Sequence, residues 1–259
     1  MPRLAANLSM MFNEVPFLDR FAAARKARFD AVEFLFPYEH PAAELRKRLD
    51  GEGLTQALFN MPPGDWGKGE RGIASLPGRQ AEFRDGVKQA LDYAGVMGCK
   101  LVHCMAGIVP AELSQVTAAS VYAANLAWAA ERAQALGVML VIEPINHRDM
   151  PGYFLHTEAQ GAAVVAAIGS DRLGLQFDVY HCQTTEGDIT KRMEQFMPVI
   201  GHIQIADVPA RNEPGTGEIG WRFVFRRMDE LGYRGWVGCE YRPAGDTVAG
   251  LKWREEFGV

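Results

Sequence analysis

The chain has 259 residues, 48% of them hydrophobic and 23% charged, with 27 glycines and 14 prolines. That length holds one or two ordinary domains, and the composition excludes a disordered or fibrous chain. Its 27 Lys and Arg against 32 Asp and Glu leave a formal charge of −5, so no global attraction draws it to nucleic acid or anionic lipid; a small-molecule ligand is expected.

The longest apolar stretch, around residues 138–142, falls far short of the roughly 20 residues that cross a bilayer, and no signal-like apolar block follows Arg3. A cytoplasmic protein without a membrane partner is expected. Cys99, Cys104, Cys182 and Cys239 form no CxxC pair and are too few to staple a chain that can build a full core, so no disulfide is expected. Cys99 and Cys104 read as core thiols at the two ends of one strand rather than as a metal pair.

In chain order, apolar runs at residues 4–8, 31–34, 55–59, 101–105, 138–142, 173–177, 202–206 and 236–239 read as strands. They are nearly continuous, as parallel strands covered on both faces must be. Helical patterns fall between them, among others at 17–27, 82–97, 122–136, 159–168, 189–196 and 222–231. Gly98, Gly137, Gly169 and Gly232 sit where a chain leaving a helix adopts positive φ. Eight such units predict one α/β domain over residues 1–259, a (β/α)8 TIM barrel. A doubly wound open sheet is the competing architecture, but no GxGxxG follows the first strand and no GxxxxGK[ST] occurs anywhere.

Two segments break the rhythm. Residues 60–79, NMPPGDWGKGERGIASLPGR, form a Gly/Pro-rich stretch whose Trp66 argues for a packed lid or wall over a pocket. Residues 207–220, DVPARNEPGTGEIG, follow the seventh strand. Both follow strand C-termini, the face on which barrels build their sites.

The polar residues ending the strands are more telling. VMLVIEP reaches Glu143, LGLQFDVYH reaches Asp178 with His181 three residues on, HIQIAD contains Gln204, and GWVGCEY reaches Glu240. Carboxylates at several strand tips converge on one mouth and raise each other's pKa unless a cation neutralises them. Three carboxylates and the Gln204 amide make a hard oxygen set suited to one Mg²⁺ or Mn²⁺. The alternative for each acid alone is a solvated or Arg-paired rim residue.

His181 either ligates the metal or donates to a substrate oxygen, and the second is favoured. Arg211 could clamp a substrate carboxylate, with pairing to Glu213 or Glu218 as the plain alternative. Trp66 and Lys68, with Arg71 and Arg79, offer substrate contacts from the first long loop. Asn7 and Glu33 could complete the wall or support the ligands. His202 reads as a satisfied core histidine one layer below Gln204, and His103 is given no catalytic role.

These motifs together resemble the hydroxypyruvate isomerase family, within the xylose-isomerase-like barrels that also include ketose 3-epimerases. The likeness runs from RLAANLSMMF and VEFLFPY through PPGDWGKGERGIASLPGR and VIEPINH to FDVYHCQ, GHIQIAD, RNEPGTGEI and GWVGCEY, nearly the whole chain. It implies a (β/α)8 barrel, catalytic glutamates at Glu143 and Glu240, and metal positions at Glu143, Asp178, Gln204 and Glu240. In the epimerases a histidine stands at the Gln204 position, and the position of His181 contacts substrate hydroxyls. The glutamine weakens the epimerase reading.

The resemblance implies either hydroxypyruvate isomerisation, to which PPGDWGKGERGIASLPGR, VIEPINH and FDVYHCQTTEG lean, or isomerisation of a 2-oxo-tetronate, to which MPRLAANLSMMF and QALFN lean; the first is favoured by a small margin. Endonuclease IV-type enzymes share the barrel but need a histidine-rich metal cluster and a basic face, against six histidines and a charge of −5 here. A catalytically silent sugar-acid binder is the non-enzyme alternative. A homodimer is the general expectation.

Overall fold

The computed structural model describes all 259 residues, Met1–Val259. The eight apolar runs become β1 (Arg3–Asn7), β2 (Ala31–Phe34), β3 (Thr55–Asn60), β4 (Leu101–His103), β5 (Met139–Ile142), β6 (Leu173–Asp178), β7 (Ile200–Gln204) and β8 (Trp236–Cys239). Every pairing is parallel, and β1 pairs with β8 to close the barrel in sequence order. This is the TIM barrel expected from the sequence. Closure leaves no sheet edge, and each strand is screened from water on both sides.

The outer layer comprises α1 (Arg20–Lys26), α2 (Ala42–Glu52), α3 (Gln80–Met97), α4 (Gln115–Ala135), α5 (Glu158–Ile168), α6 (Val179–Thr185), α7 (Ile189–Phe196) and α8 (Trp221–Glu230). Two short helices, α9 (Thr247–Gly250) and α10 (Trp253–Phe257), finish the chain. The four glycines expected at helix exits all have positive φ, between 63° and 76°. Trp253 of α10 is buried, donating through its indole N–H to the Tyr241 hydroxyl at 3.2 Å, so the terminal helix packs on its own barrel. All four cysteines are buried and free.

The barrel interior is not wholly apolar. Glu33, from β2, has no solvent exposure and accepts three hydrogen bonds: from Asn7 Nδ2 at 3.0 Å, Gln204 Nε2 at 2.8 Å and His202 Nε2 at 2.8 Å. One carboxylate thus ties β1, β2 and β7 together across the interior, satisfying groups that would otherwise be stranded. It fits because β8 carries Gly238 opposite; a Cβ there would collide with the Glu33 carboxylate.

Two loop systems shape the mouth. The 60–79 stretch is packed down as a wall: Ser75 N–H donates to Ala106 O at 2.9 Å, and Asn125 Nδ2 donates to Ala74 O at 2.8 Å. Gly107, at φ 107°, lets this stretch touch the loop after β4, since a Cβ there would lie 2.6 Å from Gly72 O. The loop after β7 is wound around Asp207, whose carboxylate accepts from Val208, Gly215, Gly217 and Ile219 backbone N–H groups and from the Trp221 indole. That single anchor sets the loop that presents Arg211.

Because three hydrogen bonds pin the Glu33 carboxylate, it cannot yield to a new methyl group. Gly238→Ala should therefore lower stability by about 1–3 kcal/mol, the usual penalty for overpacking a tight core. Chemical denaturation checks this, and an unchanged midpoint would remove the packing argument.

Candidate active site

The four consecutive strands β5 to β8 each deliver one oxygen-bearing side chain at the C-terminal end of the barrel. Glu143 directly follows β5, Asp178 and Gln204 end β6 and β7, and Glu240 directly follows β8. All four are at most 5% exposed. Asp178 and Gln204 are register partners, so their equal height in the barrel is set by the β6–β7 ladder.

The charges do not balance. Arg211 Nη2 donates to Asp178 Oδ2 at 3.3 Å and to Glu240 Oε2 at 3.2 Å, one guanidinium between two carboxylates. Glu143 has no such partner: its Oε1 is buried without any hydrogen bond. Burial, with Glu240 and Asp178 nearby, pushes the Glu143 carboxyl well above the usual range. Burial also pushes Glu240 up to about 8 against the opposing pull of Arg211, and raises Asp178 in the same way. Burial depresses Arg211 less than Glu240, Asp178 and Glu143 raise it, so the guanidinium stays charged.

Two histidines complete the floor. His181 Nε2 lies 3.8 Å from Glu143 Oε1 and 3.7 Å from Asp178 Oδ2. Burial first, then Arg211, drives its pKa well below the usual histidine value. His103 Nδ1 is 3.6 Å from Glu143 Oε2, and burial beside His202 takes His103 down to about 3. Burial thus biases both rings towards the neutral form.

A divalent cation fits this donor set. The orphaned Glu143 oxygen and the surplus of buried carboxylates over nearby cations are what a bound metal would resolve. Glu143, Asp178 and His181 bring ligand atoms within 4.8 Å of one another. Gln204 is tied on both sides, its Nε2 to Glu33 and its Oε1 to Gln176 Nε2 at 2.7 Å, which leaves the oxygen one lone pair to offer.

Above the carboxylates is a cavity of about 580 Å³. Trp66 forms part of its wall, packed on Phe36 at 5.1 Å between ring centroids, with the Arg71 guanidinium 3.7 Å over the indole. Arg211 lines the cavity too, stacked 4.9 Å from the Tyr180 ring. Its alternative partners are engaged elsewhere: Glu213 accepts from Ala244 N–H and Glu218 from Gln183.

Lys68, expected from the sequence as a substrate contact, stands apart from the cavity. Its side chain is 84% exposed and its Nζ pairs with Asp65 at 2.9 Å, because the Trp66–Lys68 turn points it outward. Arg71 is the loop cation that reaches the cavity, while Arg79 is held by Glu70 and Glu82. His103, given no catalytic role by the sequence, faces Glu143, and Asn146, Asp149 and Tyr180, not singled out there, border the site. The strand-end position of His103 and the polar run after Glu143 in VIEPINHRD were the available signals.

A closed parallel barrel with buried carboxylates on successive strand tips defines the class, a TIM-barrel protein with its candidate site at the strand C-termini. The family model described as xylose isomerase-like TIM barrel matches residues 21–257. A 2-oxo-tetronate isomerase of Cupriavidus necator is 57% identical, covering 99% of both chains, and a hydroxypyruvate isomerase of Escherichia coli is 45% identical over 99% of this chain and 100% of its own length. A Brucella melitensis crystal structure described as an AP endonuclease of family 2 superposes with a TM-score of 0.97 at 45% identity, covering 99% of each chain. The chain belongs to the xylose isomerase-like TIM barrel family, and among its members to the isomerases related to hydroxypyruvate and 2-oxo-tetronate isomerases.

Each raised carboxyl keeps its proton in the folded chain at a pH where the unfolded chain has released it. Without metal, stability therefore falls as pH rises from the ordinary carboxylate range through about 8, where Glu240 ionises. Denaturation in EDTA across pH 5 to 9 should show this decline, with Glu240→Gln flattening it. Equal slopes for the two proteins would contradict the carboxylate account.

Proposed function

We propose that the chain isomerises a short hydroxy-2-oxo acid by proton transfer between two adjacent carbons through an enediolate. The observation that supports it most is the convergence of Glu143, Asp178 and Glu240 around one guanidinium, with Glu143 left unpaired. A raised carboxyl is what a general acid/base operating near neutral pH requires.

In the reaction, one of Glu143 and Glu240 takes the proton from the hydroxyl-bearing carbon and a carboxyl group returns it to the former carbonyl carbon, while a hydroxyl proton crosses between the two oxygens. His181 donates to a substrate oxygen as negative charge grows there. Arg211, or Arg71 from the wall, holds the substrate carboxylate. The Trp66 wall limits bulk water's access to the enediolate, which water would otherwise protonate unselectively, while the carboxyl that carries the proton can still exchange with solvent. One Mg²⁺ or Mn²⁺ held by Glu143, Asp178, Gln204 and Glu240 would supply Lewis-acid stabilisation of the developing oxyanion and neutralise the acids.

Two substrates suit this chemistry. Hydroxypyruvate, the compound in the E. coli relative's name, would interconvert with 2-hydroxy-3-oxopropanoate. A 2-oxo-tetronate, longer by one hydroxymethylene, is favoured by the 57% identical relative and is easily housed in the cavity. The charge of −5 and the carboxylate-rich site support isomerisation of a small acid over cleavage of DNA. A cytoplasmic setting is part of this proposal. Separately, no helix is long and apolar enough to cross a membrane.

Turnover in D₂O with added Mg²⁺ or Mn²⁺ tests the proposal, comparing hydroxypyruvate with a 2-oxo-tetronate. Solvent deuterium should enter product or recovered substrate, and Glu143→Gln or Glu240→Gln should cut kcat by about 100-fold or more. Near wild-type rates in either variant would exclude that glutamate as an acid/base.

A further inference from the structure

His181 has two nitrogens and two possible neutral forms, and the group behind it decides which is present. Its Nδ1 faces Asn146, in the loop after β5. The Asn146 backbone N–H lies 3.5 Å from that nitrogen and the side-chain Nδ2 lies 2.6 Å from it. A backbone N–H can only donate. The side-chain amide is oriented independently: Asn146 Oδ1 accepts the Asp149 backbone N–H at 2.8 Å, and Nδ2 also reaches Asp149 Oδ2 at 3.3 Å. A flipped amide would set oxygen against a carboxylate and NH₂ against N–H, so the orientation rests on contacts outside the histidine.

Asp149 is fixed in turn. The Tyr180 hydroxyl donates to Asp149 Oδ2 at 2.7 Å and accepts from Arg148 Nη2 at 2.9 Å. Tyr180 and His181 are neighbours on α6, so this network joins the loop after β5 to the helix that carries the histidine.

We propose that Asn146 is a positioning residue that locks His181 into the tautomer with its proton on Nε2, aimed between Glu143 and Asp178. A ring whose Nδ1 meets only donors must present a lone pair there and carry its hydrogen on Nε2. That hydrogen is not consumed locally, since both neighbouring carboxylate oxygens stand beyond hydrogen-bond reach at 3.8 and 3.7 Å. It is available to an incoming oxygen. His181 then acts as a donor and not as a metal ligand through Nε2, although it stands within 4.8 Å of the Glu143 and Asp178 oxygens. The tautomer follows from geometry alone; only the identity of the accepting oxygen rests on the proposed isomerase reaction.

The test is long-range ¹H–¹⁵N correlation of ¹⁵N-histidine-labelled protein in EDTA, with His181 assigned by its loss in His181→Gln. Wild type should show a protonated Nε2 and a bare Nδ1. Asn146→Asp puts an acceptor against Nδ1 and should draw the proton towards it. Its kcat should fall about 10- to 100-fold with a smaller change in KM, and Asn146→Ser, which retains a short donor, should recover part of the loss. A proton on Nδ1 in wild type overturns the proposal, as does Asn146→Asp with wild-type tautomer and kcat. Because the spectrum needs no substrate, an inactive wild type with the expected tautomer would refute the reaction while supporting the Asn146 assignment.

Discussion

Three buried carboxylates crowd the mouth of this barrel and only two of them reach its one guanidinium, and the rest of the site is arranged around that imbalance. Asp178 and Glu240 divide Arg211 between them, while Glu143 keeps an oxygen with no partner. Left without a further cation, such a group carries a desolvation cost of several kcal/mol per ion, which shifts the acids towards their protonated forms. In the proposed reaction the same arrangement that is costly for folding would serve the chemistry, because a raised carboxyl can both accept and release a proton near neutral pH.

The carboxylates stay together because the scaffold gives them no freedom to separate. β5 to β8 are neighbours in a closed ladder, so their tips cannot drift apart without breaking strand pairing. Below them, Glu33 ties Asn7, His202 and Gln204 into one buried network, and Gly238 leaves it the room. Above them, Asp207 gathers the loop that brings Arg211 over the site, with Arg211 itself at φ 58°. Non-glycine residues adopt that left-handed conformation rarely, and often at functional positions.

The barrel was legible because its signals repeat: apolar runs, polar tips and glycine exits recur around the ring. α2 was harder to read, since only Leu45 and Leu49 mark its buried face. Glu143, Asp178, Gln204 and Glu240 could be placed from sequence because strand ends have a fixed height in a barrel. Loop side chains lack that constraint. Lys68 and Arg71 are three residues apart in one Gly-rich turn, and only the folded path shows that Lys68 pairs outward with Asp65 while Arg71 lies over Trp66. His103 and Asn146 were passed over for another reason: each matters through what it faces, Glu143 in one case and His181 in the other.

The unbalanced carboxylates at the tips of β5 to β8 lead us to propose that they hold one divalent cation. Titration of the EDTA-treated protein with Mn²⁺, followed by the loss of free-ion paramagnetic resonance signal, tests it most directly. One Mn²⁺ per chain is expected, displaced by Mg²⁺ and lost or greatly weakened in both Glu143→Gln and Asp178→Asn. Stoichiometric binding that survives both substitutions, or no binding to the wild-type chain, would contradict it.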